Sequence, residues 1–109
     1  MKFGLSDKSI ALIHSILEKY PEIESAIIYG SRAKGNFKEG SDIDLTLFGE
    51  DLNYDIKRKL SGDLDDSSSP YLFDISIFDK LNAPDLEEHI NRVGQIFYTK
   101  QELKQENTL

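Results

Sequence analysis

The chain has 109 residues and carries 13 lysines and arginines against 20 aspartates and glutamates, giving a formal net charge of −7. This length is that of one domain with a single buried core, so a second folded domain is excluded. The acidic balance argues against a protein that holds a long nucleic acid by its phosphates, and the absence of cysteine excludes disulfides and zinc–thiolate sites.

The first third of the chain predicts a helix, a strand and a helical turn. Apolar residues at helical spacing indicate a helix over residues 6–20, with Ser6 as its N-cap. Residues 24–29 form a short apolar run with β-branched members, which is typical of a buried strand, and this strand would end at Gly30. Residues 32–41 contain few large apolar side chains, so we expect a helical turn followed by a loop.

The middle of the chain predicts a strand with two different faces, followed by an amphipathic helix. In residues 42–48 the apolar side chains alternate with Asp42, Asp44 and Thr46, so one face of the strand is apolar and the other carries carboxylates. Leucine or isoleucine recurs at every fourth position within residues 51–64, which predicts a helix. Polar residues then indicate a loop.

A second strand with a carboxylate follows the loop. Residues 71–78 alternate in the same way and carry Asp74 on the more polar face. Pro84 is suited to the first position of a further helix, and Gly94 to the left-handed residue that often follows a helix end. We expect a last short strand over residues 95–98.

Together these elements predict a small α/β (α+β) domain, in which a mixed sheet of about four strands carries helices on its apolar face. The domain spans residues 1–99, and residues 100–109 are a polar tail. The start of the chain lacks the apolar core of a signal peptide, and no apolar run approaches the ~20 residues that span a bilayer. We therefore expect a cytoplasmic protein without a membrane partner.

The aspartates on strands are the most informative residues. An aspartate within a strand is unfavourable unless its charge faces a partner or a cation. Asp42 and Asp44 project from the same face, and Asp74 can meet them if its strand is a neighbour in suitable register. Carboxylates without histidine or cysteine suit Mg²⁺ or Mn²⁺, and three of them shared between two ions suit phosphoryl transfer.

A candidate phosphate cradle precedes these carboxylates. Glycine at a strand end lets the backbone approach a ligand, and the turn at Gly30 and Ser31 can present N–H groups at the start of a helix. Arg32, Lys34 and Lys38 place positive charge next to it. An ordinary turn and solvent-exposed aspartates are the alternative for each feature by itself, but their joint spacing favours a functional site.

The spacing resembles a known signature. Gly30-Ser31, ten intervening residues and Asp42-Ile43-Asp44 are similar to the signature of the DNA-polymerase-β-like nucleotidyltransferase superfamily. The surrounding sequence, IIYGSRAKGNFKEGSDIDLTLFGE, resembles the stand-alone members called minimal nucleotidyltransferases, and YLFDISIF and LEEHINRVG follow in the expected order. The resemblance covers nearly the whole chain and implies the polymerase-β-like nucleotidyltransferase fold.

The resemblance also implies a role for each matching residue. Gly30 and Ser31 would hold the β- and γ-phosphates of a nucleoside triphosphate. Asp42 and Asp44 would ligate two Mg²⁺ ions, with Mn²⁺ as an alternative. Asp74 would complete the metal site and help to deprotonate the attacking hydroxyl.

Two basic residues are expected as further phosphate contacts. Arg32 and Lys34 lie directly after the Gly-Ser pair, and solvated surface charge is the alternative for both. For Lys38, solvated charge is the favoured interpretation.

Family members of this size resemble the antitoxin of toxin–antitoxin pairs whose toxin is an HEPN-domain ribonuclease. The resemblance therefore implies an adenylyltransferase that moves AMP from ATP to a tyrosine of the toxin. Because the chain has no room for a substrate domain, the acceptor surface would come from a partner or from a second copy of the chain. Two alternatives stay open: an antitoxin that acts by binding only, and transfer to a small hydroxyl compound such as an aminoglycoside.

Other polar residues predict structure rather than chemistry. His14 and His89 lie beside apolar stripes at helical spacing, which favours histidines at the edge of a core over metal ligands. Lys57, Arg58 and Lys59 predict a solvated helix face, with docking to an acidic partner as the less favoured interpretation.

Overall fold

The predicted order of helices and strands is found in the computed structural model, which describes residues 2–38 and 40–100. The elements in these residues are α1 (Asp7–Leu17), β1 (Ser25–Tyr29), α2 (Gly30–Lys34), β2 (Ile43–Phe48), α3 (Tyr54–Asp65), β3 (Phe73–Ile77), a 3₁₀ turn (Phe78–Lys80), α4 (Pro84–Val93) and β4 (Gln95–Thr99).

The strands form one mixed sheet in the order β3-β2-β1-β4. β1 pairs antiparallel with both β2 and β4, whereas β2 and β3 run parallel. A parallel pair needs a crossover connection, which α3 provides between β2 and β3. The predicted mixed sheet of about four strands is confirmed.

The alternation along β2 separates an apolar face of the sheet from a polar one. Ile43, Leu45 and Leu47 are fully buried in a core that α1 and α3 cover. Asp44 and Thr46 therefore point to the opposite face. The metal-ligating residues that the sequence predicted thus lie on the side of the sheet away from the main core.

The first helix begins where the sequence predicted and ends earlier than predicted. The Ser6 side chain accepts a hydrogen bond from the Ser9 backbone N–H at 3.1 Å, which confirms the predicted N-cap. The helix ends at Leu17, three residues before the predicted end. Tyr20 still packs against the core, so its apolar character reports burial in the following turn rather than helical structure.

The last helix differs from expectation at its C-terminal end. Pro84 occupies the first turn as predicted, but Gly94 has a φ of −65° and is not the left-handed residue that we expected. A Cβ at Gly94 would lie 2.5 Å from the Ile90 carbonyl oxygen and 2.7 Å from Ile27 Cγ2. Glycine is required here because the Ile90 carbonyl of the same helix and the Ile27 side chain on β1 both approach closely, and not because the backbone is left-handed.

This contact also places α4 on the sheet face that carries the carboxylates. Ile27 and Tyr29 alternate with the core residue Ile28, so their side chains belong to that face. The rings of Tyr29 and His89 meet edge-on with centroids 6.2 Å apart. Helices therefore lie on both faces of the sheet, and the expectation of helices on the apolar face alone was wrong. The last helix, α4, covers the β1 side of the polar face.

The chain ends are partly described. Lys100 is described, and the rest of the predicted polar tail, residues 101–109, lies outside the described residues. Among the helices of residues 2–38 and 40–100, none combines the length and the apolar character needed to cross a membrane.

A hydrogen bond between Tyr20 and Asp63 joins the turn after α1 to α3. Burial, and then this bond, raise the pKa of Tyr20 to about 12. We predict that Tyr20→Phe lowers the free energy of unfolding by about 1 kcal/mol at pH 7, because Asp63 loses its donor. A raised pKa stabilises the fold below the ordinary tyrosine value of 10, and this stabilisation is lost as the pH rises through 12.

The measurement is urea unfolding of both proteins at pH 7 and pH 11. The difference between them should shrink at pH 11. Tyr54→Phe is the matched control, since the Tyr54 side chain is 60% exposed. An equal effect of the two substitutions at pH 7 would show that the Asp63 bond does not contribute.

Candidate active site

The predicted site residues gather where β1 ends and where β2 and β3 begin. Asp44 stands in register with Tyr29 on one side and with Asp74 on the other. Adjacent strands lie about 4.8 Å apart, and all three side chains belong to the face opposite the main core. Asp42 lies one residue before β2 and is exposed. The structure therefore brings the three predicted carboxylates to one end of one face.

Gly30 contacts this carboxylate group directly. Its φ is +74°, a conformation that side chains disfavour. A Cβ built on Gly30 would lie 2.3 Å from Asp44 Oδ2, which is closer than real atoms approach. The space that a side chain would occupy is filled by the carboxylate, so the Gly-Ser turn and the Asp-x-Asp motif lie directly against each other.

The carboxylates are close enough to affect one another. The pKa of Asp44 rises to about 6, first because the group is partly buried and then because Asp74 and Asp42 repel its negative charge. The Arg32 guanidinium acts in the opposite direction. Positive charge placed among these three side chains would therefore be favoured.

Tyr29 is a member of the site that the sequence did not identify. It is the last residue of the strand that the sequence predicted to be buried, and it is only 6% exposed. Burial, Asp74 and Asp44 raise the pKa of its hydroxyl, while a hydrogen bond with Ser76 acts against them. The Ser76 hydroxyl also donates to Thr46 Oγ1 at 2.9 Å. The alternation along β1 could have indicated that Tyr29 lies on the same face as Asp44, because its neighbour Ile28 belongs to the core face.

The donor set fits Mg²⁺ in its chemistry. Oxygen atoms of Asp42, Asp44 and Asp74 would be the ligands, and Mg²⁺ prefers carboxylate oxygen. Among residues 2–38 and 40–100, no three acidic, histidine or cysteine side chains are gathered closely enough to hold an ion. Carboxylates repel one another, and a cation between them would offset that repulsion.

The residues after Gly30 differ in their access to a ligand. Ser31 is half-buried in the first turn of α2, where backbone N–H groups have no helical partner. Lys34 and Lys38 are both exposed. Lys34 lies at the end of the same short helix, whereas Lys38 lies in the following loop.

Arg32 does not have the environment that we predicted for a phosphate contact. Its side chain is 3% exposed. Nε and Nη2 donate to the Ser41 carbonyl oxygen at 3.0 and 2.8 Å, and Nη1 donates to the Phe3 carbonyl oxygen at 2.8 Å. The guanidinium is thus occupied by the protein's own backbone, and we correct its assignment as a nucleotide-binding residue.

The remaining polar residues behave largely as the sequence predicted. His14 Nε2 lies 2.7 Å from the Phe97 carbonyl oxygen, and its ring packs against the edges of aromatic neighbours. Arg58 and Lys59 are exposed and pair with Asp55 on their own helix. These residues form a core edge and a solvated helix face.

A cavity of about 500 Å³ lies beside α2 and is separate from the carboxylates. The residues that line it come from the N-terminal segment, α2 with the following loop, and the start of β4: Lys2, Phe3, Gly4, Arg32, Ala33, Gly35, Phe37, Gln95 and Ile96.

Comparison with protein families gives one match over most of the chain. The profile of the family described as "Polymerase beta, Nucleotidyltransferase" matches residues 12–103. No curated protein matches the chain significantly.

Solved structures show the same fold at low identity. A chain of a toxin–antitoxin complex with AMP-PNP is 18% identical, with a TM-score of 0.60 over 93% of this chain and 80% of that chain. A chain of the toxin–antitoxin MntA–HepT is 17% identical, with a TM-score of 0.58 over 93% and 79%. A chain of the complex between tri-AMPylated Shewanella oneidensis HEPN toxin and MNT antitoxin is 17% identical, with a TM-score of 0.51 over 89% and 78%.

The contact between Gly30 and Asp44 predicts an effect specific to this glycine. Gly30→Ala should displace the Asp44 carboxylate and add the cost of a side chain at positive φ. Gly35→Ala is the matched control, because Gly35 has a φ of +87° but nothing within 4 Å of the added atom. We expect both substitutions to cost roughly 1 kcal/mol through the backbone, and Gly30→Ala to cost at least about 1 kcal/mol more.

Urea unfolding of the two variants measures this difference. Equal losses of stability would mean that the Asp44 carboxylate moves aside freely and that the contact does not constrain the site.

The raised pKa of Asp44 predicts that the site is destabilised when its carboxylates are ionised. The shift from 3.8 to about 6 corresponds to about 3 kcal/mol, which solvent screening reduces to about 1 kcal/mol. Asp44→Asn should therefore unfold at higher urea than the native chain at pH 7.5 in EDTA. As the pH falls through 6, Asp44 becomes protonated in the folded native chain and the destabilisation is removed. The difference in stability between Asp44→Asn and the native chain should therefore vanish below about pH 4.

Asp55→Asn provides a control of opposite sign, since hydrogen bonding and charge from Lys59 and Arg58 lower the pKa of Asp55. It should lose stability at pH 7.5. If Asp44→Asn also loses stability there, the carboxylates do not repel one another as described.

Proposed function

The chain belongs to the polymerase beta nucleotidyltransferase family, and on this premise we propose that it transfers AMP from ATP to a hydroxyl group of a partner HEPN toxin, with tyrosine as the acceptor, and acts as an antitoxin. Similar folds in the complex described with AMP-PNP and in the complex with a tri-AMPylated HEPN toxin support the choice of nucleotide and partner. The activity places the protein among adenylyltransferases.

The observation that carries this proposal is the contact of Gly30 with Asp44. A backbone turn that can approach phosphate oxygens lies against a carboxylate that can approach a metal ion. Asp74 stands in register beside Asp44. A triphosphate bound along this turn would therefore have its phosphorus atoms next to the carboxylates.

Each residue contributes binding or position. Gly30 and Ser31 would hold the β- and γ-phosphates through backbone N–H groups and the serine hydroxyl, and Lys34 would add a charge. Asp42, Asp44 and Asp74 would hold two Mg²⁺ ions, which neutralise the charge on the attacking and leaving oxygens when they are bound.

The reaction is a substitution at the α-phosphorus of ATP. The acceptor oxygen forms a bond to this phosphorus, and the bond to the oxygen that bridges to the β-phosphate breaks. AMP is thereby joined to the acceptor and pyrophosphate leaves. Asp74 takes the proton of the acceptor hydroxyl, and the turn at Gly30 holds the leaving phosphates in line with the attack.

The acceptor has to come from outside this domain. The helices and the sheet of residues 2–38 and 40–100 form one core, and α4 covers only the β1 side of the polar face. Asp42 and Asp74 are exposed, so a side chain of another protein can approach them. A toxin hydroxyl presented from a partner surface meets this requirement.

The test separates transfer from neutralisation. The chain is incubated with ATP, Mg²⁺ and the product of the adjacent gene, and the intact mass of that product is followed. We predict mass increases of one or more AMP units with the native chain. Asp44→Ala should slow transfer by about 10²–10³-fold, the range for removing one group that stabilises transition-state charge, and should abolish neutralisation of the toxin in cells.

Lys38→Ala is the control, because Lys38 is equally basic and exposed but lies in the loop beyond α2. It should transfer AMP at the native rate. Neutralisation that stays at the native level in Asp44→Ala, despite the slowed transfer, would instead identify an antitoxin that acts by binding only. Transfer to an aminoglycoside, and not to the neighbouring protein, would identify a small-molecule enzyme.

A further inference from the structure

The environment of Arg32 is unusual for a charged side chain. It is 3% exposed, and none of the ion pairs within residues 2–38 and 40–100 includes it. Its charge is stabilised by two backbone carbonyl oxygens and by the faces of two aromatic rings. The guanidinium carbon lies 5.2 Å from the Phe37 ring centre and 4.8 Å from the Tyr71 ring centre. A cation buried in this way has one well-defined position.

The hydrogen bonds of Arg32 act on the peptide that enters the Asp-x-Asp motif. The carbonyl of Ser41 belongs to the peptide bond with Asp42, and it accepts from both Nε and Nη2. Two donors from a planar group on one oxygen restrict the rotation of that peptide. The same loop is closed by a bond from the Ser41 N–H to the Lys38 carbonyl oxygen at 2.9 Å.

Arg32 also connects the other parts of the site. It follows Ser31 directly in α2, so its backbone is continuous with the phosphate-binding turn. Tyr71, whose ring it contacts, lies shortly before β3 and Asp74. The Phe3 carbonyl fixes the third side of the guanidinium. One side chain thus touches the segments that lead to the turn and to all three carboxylates.

We propose that Arg32 is a positioning residue, which holds Asp42 and Asp44 at a fixed distance from the Gly30–Ser31 turn through the Ser41 carbonyl. This proposal rests on the proposed function. Lysine cannot replace arginine in this role, since an ammonium group has no planar fork and does not fill the space between two aromatic faces.

The test uses Arg32→Lys, which keeps the charge and removes the fork. In hydrogen–deuterium exchange of the metal-free protein, the amides of Ser41 and Ile43 should exchange about tenfold faster, equivalent to about 1.4 kcal/mol of lost local stability. In the transfer assay, kcat should fall by about 10²-fold, the effect of a small misplacement of catalytic groups. KM for ATP should change less, and the Mg²⁺ concentration for half-maximal activity should rise.

Tyr20→Phe serves as the control for a general loss of stability, because Tyr20 and Asp63 lie away from the site. It should leave the exchange of Ser41 and Ile43, and kcat, unchanged. If Arg32→Lys does not fold, Tyr71→Leu removes one aromatic face while Arg32 keeps its hydrogen bonds, and it should change exchange and kcat in the same direction by a smaller factor.

Two results would overturn the proposal: unchanged exchange at Ser41 and Ile43, or faster exchange with native kcat, which would leave Arg32 a purely structural residue. If the native chain transfers no AMP, the proposed function fails, whereas the exchange measurement still shows whether Arg32 fixes the Ser41 peptide.

Discussion

The candidate site depends on one close contact, between the backbone of Gly30 and the carboxylate of Asp44. Only glycine fits here, because the carboxylate occupies the space that a side chain would need. Gly30 directly follows β1 and begins α2, and the Asp44 carboxylate lies against the position that its Cβ would take. The antiparallel register of β1 and β2 sets this contact, because it places Tyr29 opposite Asp44. The parallel register of β2 and β3 then adds Asp74 on the same face. Strand pairing therefore converts two distant sequence motifs into one site.

The carboxylates of the candidate site repel one another in the folded chain. Partial burial, and then repulsion from Asp74 and Asp42, raise the pKa of Asp44, so the folded chain is less stable at neutral pH than a chain with a neutral side chain at this position would be. The apolar face of the sheet provides the compensating stability, with Leu45 and Leu47 fully buried beneath the carboxylates. Arg32 contributes by fixing the Ser41 peptide and by partly offsetting the negative charge. Such local destabilisation at a site that needs a cation is a common feature of functional surfaces.

Much of the fold and of the candidate site could be predicted because the signals were local. Alternation in β2 separated Leu45 from Asp44, and the Gly-Ser and Asp-x-Asp spacing identified the turn and two carboxylates. Residues whose environment is set by tertiary contacts were harder to predict from the sequence. Arg32 was predicted to contact phosphate, with solvated surface charge as the alternative, because nothing in the local sequence indicates its carbonyl partners at Phe3 and Ser41. Gly94 does end α4, but it was expected in the left-handed conformation, whereas the need for glycine depends in part on the approach of Ile27 from another element.

We propose that the turn at Gly30 and the three aspartates bind a nucleoside triphosphate and its metal ions as one site. A crystal structure with a non-hydrolysable ATP analogue and Mn²⁺ tests this most directly, since the anomalous signal of Mn²⁺ locates the ions. We expect Mn²⁺ between Asp42, Asp44 and Asp74, with the β- and γ-phosphates against Gly30 and Ser31. Analogue bound in the cavity beside Lys2 and Ile96, or Mn²⁺ away from the three aspartates, would contradict it.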